Sequence, residues 1–157
     1  MSHGATEANE FELGTDGPSA ILVGVDDSVT SLRAASYAAG LARRQRARVI
    51  IVYVAPMSSV GAASAAGAGV IAAEMQAHDE VAASLRERAE GAAKELGISI
   101  TVIAAHGDAY REINRIADET RADAIVVGAS AKAGHKLVGS LAVRLVRAGR
   151  WPVTVVP

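Results

Sequence analysis

Five short apolar runs set the limits on what this chain can fold into. They lie at residues 20–25 (AILVGV), 48–54 (RVIIVYV), 98–104 (ISITVIA), 124–127 (AIVV) and 152–156 (PVTVV). Most are apolar without alternation, the signature of a strand covered on both faces rather than one with a solvated side. Segments of helical period separate them. Residues 31–46 place Leu32, Ala35, Ala38, Ala39 and Ala42 on one side, with arginines at the negative end of the helix dipole. A longer helix ends at Leu96, with Val81, Leu85, Ala89, Ala92 and Leu96 as its stripe and Gly97 at the left-handed C′ position. Tyr110, Ile113, Ile116, Ala117 and Thr120 form a third, with Asp108 as N-cap. Residues 140–148 form a fourth, with Leu141 and Leu145 inward and Gly149 at its end.

Alternating strands and helices predict an α/β domain, one open parallel sheet with helices on both faces, because parallel crossovers are right-handed. The sequence alone leaves strand order open. If the order is 3-2-1-4-5, the switch point falls between strands one and four, where such sheets bind ligands beyond the strand carboxyl ends. Asp26 and Gly128 would flank that crevice.

The flanking segments differ. Residues 1–18 are polar, acidic and aperiodic and read as a disordered tail, leaving one domain over 19–157. Residues 57–70, rich in Ala, Gly and Ser, read as a mobile loop. Within them and just beyond, Gly67, Gly69 and Ala72 fit the dinucleotide fingerprint G-x-G-x-x-A. No strand immediately precedes them, so that reading is rejected.

Composition removes several functions. There is no cysteine, which excludes disulfides, thiol catalysis and thiolate metal sites. A formal charge of −1 gives no footprint for nucleic acid or an anionic membrane. The early acids Glu7, Glu10, Glu12 and Asp16 fall where a signal peptide needs an apolar stretch, and no run reaches a membrane span of about 20 residues. A cytoplasmic protein is the expectation. No P-loop, H-E-x-x-H or G-x-S-x-G motif occurs, four scattered histidines make no metal-ligand pattern, and no base is placed to activate water, so an enzyme is not expected.

The segment ADAIVVGASAKAGHKLVGS, residues 122–140, carries the functional signal. It reads as a strand ending at Gly128, a loop with Lys132, His135 and Lys136, and Gly139-Ser140 at a helix start. Unpaired N–H groups and the dipole at a helix N-terminus hold anions such as phosphate.

Taken with ILVGVDDS, RVIIVYV, HGDAYREI and GSLAVRLVRAGRWPVTVVP, this segment resembles the universal stress protein family over residues 20–157. The resemblance implies a Rossmann-like sheet in the order 3-2-1-4-5 and a cytoplasmic homodimer paired through the last strand, 152–156, with Trp151 beside it. It also implies, in one branch, ATP bound with magnesium. That branch carries glycine, two residues, glycine, nine residues, then glycine and serine or threonine. Here Gly128 matches the first glycine, but Ala131 holds the second position, and only residues 132–138 precede Gly139-Ser140. The loop is two residues short and lacks one glycine. Asp26 and Val54 match positions near the adenosine. The implied ligand set is Asp26, Val54, Gly128, Ala131, Gly139 and Ser140; independently of the resemblance, the loop charges Lys132 and His135 are candidates to neutralise the phosphates in part. The implied function is an adenine-nucleotide sensor. The alternative is a homodimeric interaction protein whose phosphate site the short loop has closed.

Overall fold

A computed structural model describes residues 17–57, 65–129 and 140–157. Its elements alternate: β1 (Ala20–Val25), α1 (Val29–Gln45), β2 (Arg48–Ala55), α2 (Ala65–Leu96), β3 (Ile100–His106), α3 (Ala109–Glu119), β4 (Ala124–Gly128), α4 (Ser140–Ala148) and β5 (Val153–Val156). The strands form one parallel sheet in the order β3-β2-β1-β4-β5.

The unbroken apolar runs are explained by the two faces of this sheet. Alternate residues of a strand point to opposite sides. Ile21, Val23 and Val25 face a core with α1 and α2, while Ala20 and Leu22 face a second core with α3 and α4. Both sides of β1 are buried, so neither can be polar. The central strands supply most fully buried side chains, whereas every residue of the edge strand β5 is only half-buried.

Several boundaries differ from the sequence reading. Helix α1 starts at Val29 because Ser28 caps it, its Oγ accepting from the Ser31 N–H at 3.2 Å. Its buried line is Ser31, Ala34, Ala38, Ala39 and Ala42, so Leu32 and Ala35 sit at the flank. Residues 65–70, read as loop, are helical and open α2. Alanine has the highest helix propensity, and in this stretch it outweighs the glycines. The glycines of the rejected fingerprint lie inside that helix. Strand β3 runs two residues later than expected. Ile98 lies in the turn that closes α2, its N–H donating to the Ala93 carbonyl at 3.2 Å across left-handed Gly97 (φ 64°). His106 therefore ends β3, and the Gly107 N–H extends the ladder to the Ala55 carbonyl at 2.9 Å.

One clamp went unread in the sequence. The Asp123 carboxylate accepts from the Ser19 N–H, the Ser19 hydroxyl and the Ala20 N–H at 2.8–2.9 Å. These contacts join the starts of β1 and β4. Burial works against ionisation of Asp123, but the bonds from Ala20 and Ser19 outweigh it and hold the carboxyl below its ordinary value.

Candidate functional site

The carboxyl ends of β1, β2 and β4 meet α3 and the start of α4 around a crevice of about 130 Å³. Asp26, Val54, Gly128 and Leu141 are among its walls. Asp26 and Gly128 thus flank one crevice at the switch point. Val54 stands on its floor as β2 ends. Ser140 is exposed as the first residue of α4, next to Leu141 in the wall. Of the other sequence-derived candidates, Ala131, Lys132, His135 and Gly139 lie outside the described residues, as does the rest of segment 130–139.

Local geometry explains the turn at Asp26. The chain must reverse from β1 into α1 within three residues, and Asp27 does this in the left-handed region (φ 63°), which Asp tolerates. The Asp26 carboxylate accepts from the Ser28 N–H at 3.1 Å, an Asx-type contact. Ser31, buried under the first turn of α1, accepts the Asp26 N–H at 3.2 Å and donates its hydroxyl to the Ser28 carbonyl at 2.9 Å. Partial burial opposes ionisation of Asp26, yet the hydrogen bonds from Ser28 and Ser31 outweigh it and set the carboxyl below its usual range. Asp26 is therefore an anion at neutral pH, able only to accept. Its charge reaches β2: burial first, then Asp27 and Asp26, push the Tyr53 hydroxyl upward in pKa.

Gly128 has a structural role that sequence reading missed. A Cβ there would lie 2.6 Å from the Thr30 carbonyl carbon and 2.7 Å from the Ser31 nitrogen. The end of β4 packs directly on the first turn of α1, and only glycine permits that approach. This contact seals the crevice on the α1 side.

Two further wall groups come from α3. Ala109 and Ile113 line the crevice opposite β1, and the Ile113 Cδ1 leaves only 3.1 Å for a Cβ at Gly24. Helical spacing marked Ile113 as core, but nothing in the sequence aimed it at the switch point. Asp108 caps α3 through the Arg111 N–H at 3.0 Å and pairs with Arg144 of α4 at 3.2 Å. Arg144 also stacks on Tyr110, its guanidinium carbon 4.2 Å from the ring centre. The bonds from the Arg111 N–H and the Arg144 side chain lower the Asp108 pKa. This clasp fixes α4, and with it Ser140, against α3.

Chemically the crevice is divided. Val52, Val54, Ile113 and Leu141 offer apolar walls for a flat ring, and Asp26 offers an acceptor at the mouth. Among the described residues no group of three or more His, Cys, Asp or Glu converges to hold a metal, and no helix is long and apolar enough to cross a membrane.

Comparison with known proteins agrees with this architecture. The model of the universal stress protein family matches residues 19–157. The chain belongs to that family. Universal stress protein MJ0531 of Methanocaldococcus jannaschii is 30% identical over 138 residues, covering 87% of this chain and 80% of the relative. Among solved structures, the universal stress protein UspA of Lactobacillus plantarum superposes with a TM-score of 0.77 at 25% identity, over 88% of this chain and 97% of that one. A universal stress protein crystallised in complex with cAMP superposes with a TM-score of 0.62 at 28% identity, over 89% and 97% of the two chains. The sheet order expected from the resemblance is the order found.

Proposed function

We propose that this universal stress protein binds an adenine nucleotide, ATP, in the crevice between β1 and β4, and acts as a sensor rather than as a fast catalyst. The observation that carries the reading is the convergence of Asp26, Val54 and Gly128 on one cavity beside the start of α4. The cAMP complex of a relative at 28% identity supports the choice of an adenine ligand.

Electrostatics orient the nucleotide. An anionic Asp26 accepts from ribose hydroxyls or the adenine amine and repels phosphate. The base sits on Val54 and its apolar neighbours, and the phosphates point away from Asp26. They reach the N–H groups at the start of α4, the Ser140 hydroxyl, the backbone of Gly128, Ala131 and Gly139, and the charges of Lys132 and His135. Magnesium enters with the phosphates. The crevice of about 130 Å³ is smaller than the ~300–1,000 Å³ of complete small-molecule sites, so the described walls make up one end of the site. The protein works in the cytoplasm as a homodimer, joined through the edge of β5 beside Trp151, whose ring packs on the α3–α4 core and under Arg150 at 4.4 Å.

Crystals grown with ATP test the reading. Nucleotide density with its base against Val54 and its ribose against Asp26 is expected. A map in which the protein's own side chains fill the crevice favours the interaction-protein alternative.

A further inference from the structure

A second cavity lies on the opposite face of the sheet from the proposed nucleotide crevice. Helix α1 packs on β1 and β4 while α2 packs on β3, and a groove of about 470 Å³ opens between the helices over β2. Leu32 and Ala35 on one side and Leu85 and Ala92 on the other give it apolar walls, and its floor runs from Val49 to Val25. Alanines on both facing helices leave it unfilled. An apolar groove of this volume is the size of a ligand site. Its polar rim includes Arg88, half-exposed and only loosely paired with Asp27 at 3.5 Å, and Glu95 near the other end.

We propose that the groove receives the chain's own segment Glu10–Leu13, with Phe11 and Leu13 as the apolar inserts. Three observations choose this occupant. The first is where the chain leaves the described structure. Gly17 lies against the Gln45 side chain at the end of α1, and Ser19 accepts the Arg48 N–H beside Val49, the near end of the groove floor. Residues 1–16 extend from that point. At about 3.3 Å per residue, Leu13 reaches roughly 13 Å and Phe11 roughly 20 Å beyond Gly17, enough to enter a floor that runs about 13 Å from Val49 to the level of Tyr53, the partner of Val25.

The second observation is pattern. Glu10, Phe11, Glu12 and Leu13 alternate acid and apolar, so an extended segment turns both apolar groups to one side and both acids to the other. The third is charge. Residues 1–16 carry Glu7, Glu10, Glu12 and Asp16 with no Lys or Arg, so of the chain's formal −1 the remaining residues carry +3. Arg88 stands at the rim to meet the acids. The short tether holds the segment at a millimolar-range effective concentration, so modest contacts suffice.

Phe11 is the chain's sole phenylalanine, so 4-fluorophenylalanine incorporated into the full-length protein gives a single fluorine resonance. In the native protein that resonance is expected to be displaced from its position in the urea-unfolded chain, independently of protein concentration. Ala92→Leu, which fills the groove, and Arg88→Glu, which reverses the rim charge, should each return it to the unfolded position while circular dichroism stays native. A resonance already at the unfolded position in the native protein overturns the proposal. So does a displaced resonance that neither variant moves, which would place Phe11 on another surface. A displacement that grows with concentration overturns it in favour of a second copy as the source of the insert.

Discussion

At Gly128 and Asp26 single atoms decide what the crevice can be. The close approach of Gly128 to the backbone of Thr30 and Ser31 leaves no room for a methyl group. Neither neighbour can rotate away, because both are main chain in the first turn of α1. Gly128→Ala is therefore expected to destabilise the fold by about 1–3 kcal/mol, the cost of overpacking a closed contact, as read from the midpoint of urea unfolding. A change under about 0.5 kcal/mol, ordinary for surface substitutions, would mean that the contact yields. Asp26→Asn tests the acceptor. Asparagine keeps an oxygen for the Ser28 N–H, so the turn should persist. The anion is lost, and ATP affinity should fall about tenfold, equivalent to ~1.4 kcal/mol. Equal affinity in the variant would remove Asp26 from the nucleotide site. The sequence marked both residues as candidates. It did not reveal that Gly128 is already required by α1, because that contact joins residues about a hundred positions apart and leaves no periodic trace.

At the scale of elements, local rules account for what was legible. The apolar runs located all five strands: burial on both faces keeps β1, β2 and β4 apolar, while the edge strands β3 and β5, partly exposed, still carry mostly β-branched and apolar residues. Gly97, Asp108 and Gly149 marked helix ends because capping is a local demand of the backbone. The misread stretch at 65–70 shows the limit of such rules: glycine signals a loop, alanine signals a helix, and the helix prevails. The clasp of Asp108, Arg144 and Tyr110 was illegible for a different reason. It needs α3 and α4 side by side, which only the tertiary fold supplies. Asp108→Ala removes both the cap of α3 and the partner of Arg144. The expected loss is about 1 kcal/mol, dominated by the cap, because an exposed ion pair contributes little. Arg144→Ala should lose less. Chemical denaturation of the two variants side by side checks the ranking, and a larger loss for Arg144→Ala would reverse it.

For the whole molecule, the same carboxylates set the response to acid. Asp26, Asp108 and Asp123 all have pKa values lowered by folding. Such groups favour the folded state at any pH above their unfolded values, and that contribution disappears as pH falls through the folded values. Stability should therefore be flat near neutrality and drop below about pH 4, where unfolded aspartates take up protons. Asp123→Asn should make the drop shallower, by loosening the clamp between the starts of β1 and β4 while removing one titrating group. A pH series of unfolding midpoints reads both effects, and identical slopes for the two proteins would contradict the assignment. Among the described residues, the crevice at the switch point and the groove between α1 and α2 lie on opposite faces of one sheet and share Val25 as a wall. The functional account rests on the smaller of them. Calorimetric titration of the full-length protein with ATP and magnesium tests it most directly. Saturable binding of one nucleotide per chain, weakened in Asp26→Asn, is the predicted result. No binding heat up to millimolar ATP would contradict it.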